Sequence, residues 1–310
     1  MRPDEGAGPW LVRPGGPRSA EMEEAIEILR PARVREPSDA EGWDALGKEI
    51  RDSRPDWIVA AGGDGTVQGV VRLLDLEGGS VLSVLPDGTG NDFARALGLP
   101  LDLVEAARAL EVGGVDRSVD LLEVRLDDEE PRLVVNAVTA GLSEMVHEVL
   151  TDEMKATWGR FAYLRAALAG SSDLTPFQAA LTTSGGEGSH GGEGVDREWR
   201  GKLLHISIAN GPTAGGGMPI APGAEIADGQ LDLCAIEEGG WAEIGTGIPV
   251  VLSGSEPDEG PWMRSRVEQL QLELTEPHDI SVDGEVTQAT RIRARILPGV
   301  LTVRVPASSG

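Results

Sequence analysis

A short apolar run, Trp57 to Ala61, passes without a break into Gly62-Gly63-Asp64-Gly65-Thr66 and then into a helical pattern from Val67 to Leu74. Few local arrangements satisfy such a string. A continuous apolar run suits a strand buried on both faces of a parallel sheet. The glycines admit a tight strand-to-helix turn, and the helix N-terminus that follows offers amide N–H groups and the positive end of its dipole. Together these predict an anion site at the edge of a parallel sheet. The same string also reads as a plain tight turn with Thr66 as a cap. Asp64 is unfavourable beside a phosphate unless it binds a cation such as Mg2+ or accepts hydrogen bonds.

A second unit repeats the pattern. Val81 to Leu85 leads into Pro86-Asp87-Gly88-Thr89-Gly90-Asn91-Asp92-Phe93-Ala94-Arg95. Thr89 and Asn91 carry groups that bond phosphate or ribose, and Asp92 is placed to cap the helix carrying Phe93. Two such turns on neighbouring parallel strands face one crevice beyond the strand C-termini, where open α/β sheets bind ligands. Around them lie helical patterns: Ser19 to Leu29, a Ser38/Glu41 capping box before Trp43, Leu46 and Ile50, and an Asp102/Glu105 start running to Leu110. The β–α alternation predicts a parallel sheet with helices on its faces.

From about Val119 the pattern changes. Arg132 to Ala137, Gln178 to Thr183, Leu203 to Ile208 and Leu231 to Ile236 are short and β-rich. Leu270, Leu272 and Leu274 alternate with polar residues, and Ile292, Ala294 and Ile296 alternate with Arg291, Arg293 and Arg295. That is the signature of half-buried antiparallel strands, with the arginines on a solvated face or, as the second reading, set to meet phosphate or lipid headgroups. One helix, Glu153 to Leu168, interrupts them, and Ser184 to Gly194 reads as a glycine-rich surface loop. The expected fold is an α/β lobe over residues 1–118, a β-rich sandwich over 119–297, and a segment 298–310 that returns to the first lobe, with a cleft between the lobes.

Charge bounds the partners. Asp and Glu number 52 against 27 Lys and Arg, a formal charge of −25. This argues against nucleic acid as a partner and against adhesion to lipid through a polybasic patch. Only Lys48, Lys155 and Lys202 are lysines. An acid-rich, lysine-poor surface suits a halophilic cytoplasm of molar salt, where the Debye length falls to about 3 Å, and predicts stability and activity that rise with KCl. The lone Cys234 fits a reducing compartment. The N-terminal segment has no apolar core of a signal peptide, and the longest uncharged stretch, Leu203 to Ala224, is broken by three prolines. A cytoplasmic protein follows, with at most peripheral contact at the inner membrane face.

The motifs carry a family resemblance. GGDGT followed by PDGTGNDFARALGLP resembles the diacylglycerol-kinase catalytic domain of soluble bacterial YegS-like lipid kinases and of sphingosine kinases. GGDGT alone is shared with NAD kinases and phosphofructokinases; GTGNDFAR narrows the match. Lys155 to Leu168, Asn210-Gly211 with Gly215 to Gly217, Ala227 to Asp232, and Val282-Asp283-Gly284-Glu285 resemble later segments of the same family in the same order. The resemblance implies a nucleotide-binding N-terminal lobe, NAD-kinase- and phosphofructokinase-like in fold, and a lipid-binding C-terminal lobe. It implies transfer of the ATP γ-phosphoryl group to a lipid hydroxyl, most simply diacylglycerol giving phosphatidic acid, with a lipid at the membrane surface as partner. A homodimer is allowed.

By the resemblance, Glu285 is the general base and Asp64 shares the reacting centre. Gly62, Gly63, Asp64, Gly65, Thr66, Gly88, Thr89 and Asn91 would hold the nucleotide. Glu225, Asp228 and Gln230 would hold a structural Mg2+, with Asp228 the firmest ligand. Asp283-Gly284 and Asp228-Gly229 read equally as turn signals. Other acceptors (sphingoid, isoprenoid, glycolipid or NAD) and a nucleotide- or lipid-binding protein without turnover remain open. Three departures bear on this. Gln68-Gly69 stands where the family has Asn-Glu, which removes a carboxylate and puts a glycine into a helix at about 1 kcal/mol relative to Ala. Arg13-Pro14-Gly15-Gly16 replaces an Asn-Pro turn, so Arg13 could pair with phosphate. Gly141-Leu142-Ser143-Glu144 replaces Gly-Phe-Asp. His147, His190, His205 and His278 lack metal-ligand spacing.

Overall fold

A computed structural model of the chain describes residues 8–76, 78–141, 175–186, 197–239 and 260–307, together with positions 250, 253, 255 and 257. The expected helix Glu153 to Leu168, Lys155, most of the glycine-rich loop, positions 142–144, His147 and His190 lie outside the described residues. The chain divides into two compact units, Met1–Leu121 with Pro298–Gly310, and Leu122–Leu297.

The first unit is built of β1 (Trp10–Val12), α1 (Ala20–Leu29), β2 (Arg33–Arg35), α2 (Ala40–Ser53), β3 (Trp57–Gly62), α3 (Asp64–Leu73), β4 (Val81–Pro86), α4 (Asp92–Ala96) and α5 (Leu103–Val112). The strands pair in parallel in the order β2-β1-β3-β4. β1, β3 and β4 are short and apolar because helices cover them, whereas β2, with Arg33 and Arg35, is half-buried at the end of the order. Leu11, Val59, Ala61 and Leu85 pack with Met22, Ala25 and Leu29 of α1 and with Ala106, Ala107 and Leu110 of α5. Ser19 and Asp102 cap α1 and α5 by accepting from Met22 N and Glu105 N. At α2 the cap is Asp39, not Ser38: its Oδ1 accepts from Gly42 N at 2.8 Å. A carboxylate is the stronger acceptor there because it also meets the helix dipole.

The second unit is antiparallel. Its elements are β5 (Gly114–Leu126), which begins in the first unit, β6 (Arg132–Val134), β7 (Ala137–Gly141), β8 (Phe177–Ser184), β9 (Arg197–Ala209), β10 (Thr213–Ala214), β11 (Met218–Pro219), β12 (Leu231–Glu237), β13 (Trp262–Val267), β14 (Gln269–Val282) and β15 (Glu285–Pro306), whose end returns to the first unit. There Val303 pairs in parallel with Leu82 of β4. The long strands β9 and β14 each pair over one half with β7 and over the other with β8. Their inward residues, among them Ile206, Ile208, Leu270, Leu272, Ile280 and Val282, close on one apolar core. The expected strand Arg132 to Ala137 is in fact two strands with different neighbours, β6 on β5 and β7 on β9 and β14. The break at Val135-Asn136 has a definite cause, given below. No helix among the described residues is long and apolar enough to cross a membrane.

Candidate active site

The two glycine turns meet in the first unit. β3 and β4 are in parallel register, with Gly62 opposite Pro86, so both turns leave the same end of the sheet. A Cβ on Gly62 would lie 2.2 Å from Thr66 Oγ1, and one on Gly88 would lie 2.4 Å from Gly63 Cα. Any side chain at Gly88 therefore forces the turns apart. Gly63 is the N-cap of α3 and supplies no side-chain acceptor; its carbonyl takes the N–H groups of Thr66 and Val67. Gly65 is exposed, Thr66 is buried and Thr89 is exposed at the tip of the second turn. The start of α3 is thus a helix N-terminus without a side-chain cap, lined by glycine backbone, as anion recognition requires.

Asp64 turns away from that role. Its Oδ1 accepts from Phe93 N at 3.0 Å and its Oδ2 accepts from Asp92 N at 3.1 Å. Of the two uses expected for this carboxylate, acceptance of hydrogen bonds is the one observed. Asp64 caps α4 from another element, and Asp92, expected to be the cap, is the first residue inside the helix. Asp64 thereby positions the second turn. The α4 N-terminus is filled by a protein carboxylate, and the α3 N-terminus carries no side-chain cap. Asn91 sits in the left-handed region (φ 54°), where Asn is tolerated. Its Oδ1 accepts from Gly88 N and its Nδ2 donates to Gly88 O, so its amide closes the second turn on itself.

Two departures find structural reasons. A Cβ on Gly69 would lie 2.8 Å from Trp43 Cη2, so the glycine in α3 is the seat of an indole from α2. Gly47 of α2 likewise leaves room for Leu73 of α3. Arg13 does not wait for phosphate. It is buried, and its guanidinium donates to Glu36 and to the carbonyls of Gly16 and Pro17. Arg18 and Arg13 together hold the Glu36 carboxyl below the usual carboxylate range.

In the second unit, Asp283 (φ 49°) and Gly284 (φ 90°) form the two-residue turn joining β14 to β15. Both central residues are left-handed, as this hairpin requires. The Asp283 carboxylate accepts three amides: Val135 N at 2.8 Å, Asn136 N at 2.9 Å and Ala137 N at 3.0 Å. This is what separates β6 from β7, because those amides serve a side chain and not a strand. Asn210 ties the same segment from the other side, donating its Nδ2 to Val135 O and its N–H to Asn136 O. The turn is thereby fixed, and Glu285 follows it as an exposed side chain opposite Val282. In the sequence Asp283 read as a turn signal, and Asp283 and Asn210 both as parts of family-like segments; their structural duty shows once distant segments are adjacent.

Residues 225–230 are the segment expected to hold Mg2+. Among the described residues no group of three His, Cys, Asp or Glu side chains could hold a metal, so a site here depends on amide and backbone oxygens. Asp228 Oδ1 accepts from Gln230 N at 3.0 Å, and Gln230 Oε1 is shut from solvent with no hydrogen-bond partner. A buried acceptor left open beside a carboxylate suits a small hard cation. Glu225 is exposed, and with Asp228 and Asp232 it surrounds Arg266, which bonds Asp232 at 3.2 Å and the Gly223 carbonyl. These oxygen donors are of the kind that suits Mg2+, and Asp228 and Gln230 are the residues that would hold it, with the exposed Glu225 beside them. The two described histidines, His205 and His278, have other surroundings. Burial pushes His205 down to about 4, its Nε2 lying 2.7 Å from Ser207 Oγ, and His278 stacks on Phe177 at 4.5 Å.

Comparisons with known proteins agree with this geometry. Residues 15–124 match the diacylglycerol kinase catalytic domain, and residues 136–305 match the YegS C-terminal NAD kinase beta sandwich-like domain. A protein of Pseudomonas syringae pv. syringae named probable lipid kinase YegS-like is 36% identical over 253 residues, 81% of this chain and 76% of that protein. One of the same name from Pseudomonas fluorescens is 32% identical over 294 residues, 93% of this chain and 92% of that protein. A crystal structure titled as a diacylglycerol kinase from Bacillus anthracis has a TM-score of 0.69 at 18% identity, covering 97% of both chains. A second structure from that organism reaches 0.74 at 19% identity over 98% of both chains. With more than half its length in one family model and relatives above 30% identity along most of it, this chain belongs to the YegS-like lipid kinase family.

Proposed function

We propose that the protein transfers the γ-phosphoryl group of ATP to a lipid hydroxyl, with diacylglycerol as the acceptor and phosphatidic acid as the product. The observation that carries the nucleotide half is the contact of Gly63 with Gly88 at the ends of adjacent parallel strands, beside an N-terminus of α3 that no side chain caps. Phosphoryl transfer needs positioning and electrostatic stabilisation more than covalent chemistry. The amides around Gly63 to Thr66 would bind phosphate oxygens, and Asp64 and Asn91 would hold the second turn against the first. Glu285 would take the acceptor proton as the hydroxyl oxygen bonds to the γ-phosphorus and the bond to the bridging oxygen breaks, leaving ADP. Mg2+ bound at Asp228 and Gln230 would neutralise and stiffen that segment, while catalytic Mg2+ arrives with ATP to spread phosphate charge.

The test is transfer of labelled phosphate from Mg-ATP to diacylglycerol in mixed micelles, with the product identified by mass and a panel of sphingoid, isoprenoid and glycolipid acceptors in parallel. Glu285→Gln is expected to lower turnover by about 10³-fold with ATP affinity unchanged. Turnover equal to wild type in that variant removes Glu285 as the base. Absence of transfer to every acceptor, with tight ATP binding, makes the chain a binding protein.

A further inference from the structure

On the second unit, β8, β14, β15 and β5 present a solvent-facing groove of about 430 Å3. Strand register aligns its lining in two rows. Ser184, Gln269 and Arg295 are opposite one another, and so are Thr182, Gln271 and Arg293. The alternate residues Leu270, Leu272, Ile292 and Ala294 point into the core, so the rows belong to the outer face of the sheet. From β5, Glu123 and Arg125 complete the wall.

Its charge runs against the rest of the chain. Three guanidinium groups share this groove with one carboxylate, on a protein of net charge −25. Several arginines elsewhere are neutralised by ion pairs: Arg108 by Glu24, Arg266 by Asp232, Arg304 by Asp116. In the groove only Arg295 is, through Glu123 at 2.7 Å. The Nε of Arg293 donates to the neutral Gln271 Oε1 at 3.1 Å, and that amide is held in place by its own bond to Glu273 at 2.8 Å. Arg125 has no hydrogen-bond or ion-pair partner among the described residues. Two unneutralised guanidiniums with Thr182 and Ser184 hydroxyls alongside are the donor set that recognises phosphate, since a planar guanidinium meets phosphate oxygens bidentately. Among the described residues that line the groove none is aromatic, and its apolar members Leu270 and Ala294 are buried in the sheet beneath it, which disfavours a base or an acyl chain.

We propose that this groove is a second, accessory binding site, for a phosphate-bearing polar head such as glycerol phosphate, free or as the headgroup of an anionic phospholipid. It is separate from the position of Glu285. At roughly 3.3 Å per residue, Arg293 and Arg295 lie about 26–33 Å along β15 from that side chain. The inference therefore stands on different residues from the proposed catalytic reaction and can fail without it.

The experiment compares the full-length protein with the Arg125→Gln/Arg293→Gln double variant at low ionic strength. Both positions are exposed, so the fold is expected to survive, and a thermal melt checks it. One arm measures sn-glycerol 3-phosphate by calorimetry. The other measures co-sedimentation with phosphatidylcholine vesicles, with and without one quarter phosphatidic acid. The expected result is binding in at least one arm that weakens about tenfold or more in the double variant. Binding in the soluble arm assigns the groove to a metabolite, and binding only to phosphatidic acid vesicles assigns it to a lipid headgroup. Wild-type protein that binds in neither arm, or a double variant that binds as wild type does, overturns the proposal.

Discussion

Both units carry an Asp-Gly pair at the heart of their principal motif, and in both the aspartate serves the backbone. Asp64 accepts two amides of α4 and so holds one glycine turn to another within the α/β layer. Asp283 accepts three amides between β6 and β7 and so holds a hairpin to a neighbouring strand segment. The difference lies in what each leaves for a ligand. The first motif offers backbone: glycine amides and a helix N-terminus. The second offers a side chain, Glu285, exposed just after the turn. The lesson is that the charged residue in the most recognisable triplet is not thereby the reacting one; it fixes the geometry in which its neighbours act.

The largest expected effect tests that lesson. Asp283→Ala strands three amides, and Asp64→Ala strands two. Bonds to an ionised acceptor are worth about 1.5–3 kcal/mol each, with partial recovery by water. Asp283→Ala should lower unfolding free energy by about 3 kcal/mol, and Asp64→Ala by about 2, read from urea titrations. Asp64→Ala should also weaken ATP binding about tenfold, because the second turn loses its anchor. An Asp64→Ala protein as stable as its parent and without turnover would break the comparison and place Asp64 in the reacting centre.

Acid separates the units next. All four histidines fall within Leu122–Leu297, and the first unit has none. Burial lowers His205 from its ordinary 6.5 to about 4. The unfolded chain therefore binds a proton that the folded chain refuses between those values. The stabilisation is complete above pH 6.5 and is lost as pH falls toward 4, on the order of 2 kcal/mol between pH 7 and 5. His205→Gln should flatten that slope, and amide exchange at pH 5 should show the second unit opening first. An unchanged slope in the variant would move the acid sensitivity elsewhere.

How much of this was readable in advance follows from the range of each interaction. The parallel sheet, its helices and both glycine turns depend on contiguous residues, and spacing alone places them. Strand alternation likewise places Leu270, Leu272 and Leu274 inward. What was not readable depends on partners far along the chain. Asp64 meets amides at 92 and 93, and Asp283 breaks a strand at 135–137, which periodicity continues smoothly through. Arg13 finds Glu36 before any phosphate. The α2 cap was misplaced by one residue because Ser38 and Asp39 are both good caps.

A smaller effect tests the segment of the second unit proposed to hold Mg2+. If Asp228 and Gln230 hold Mg2+, saturation at ten times the dissociation constant adds about 1.4 kcal/mol to stability. That rise in melting temperature should vanish with EDTA and in Asp228→Asn, with neither nucleotide nor lipid present. A melt indifferent to Mg2+ would leave Arg266 as the counter-charge for the cluster formed by Glu225, Asp228 and Asp232.

The smallest effect returns to the first unit and turns on its sign. Glycine in a helix ordinarily destabilises it by about 1 kcal/mol relative to alanine, so Gly69→Ala in an open helix would be stabilising. Here the new methyl would lie 2.8 Å from the Trp43 ring. An indole wedged between α2 and α3 cannot give way like the end of a flexible chain, and overpacking of this kind costs about 1–3 kcal/mol. Gly69→Ala should therefore lower stability by about 1 kcal/mol. In a Trp43→Ala background the obstacle is gone, and the same substitution should raise it by about 1. The departure at Gly69 is then explained as half of a packed pair, in which a helix of the α/β layer gave up a side chain to seat a tryptophan. If Gly69→Ala stabilises the parent chain, the pair is uncoupled and the glycine needs a reason of its own, the nearest being access of nucleotide to the first turns of α3.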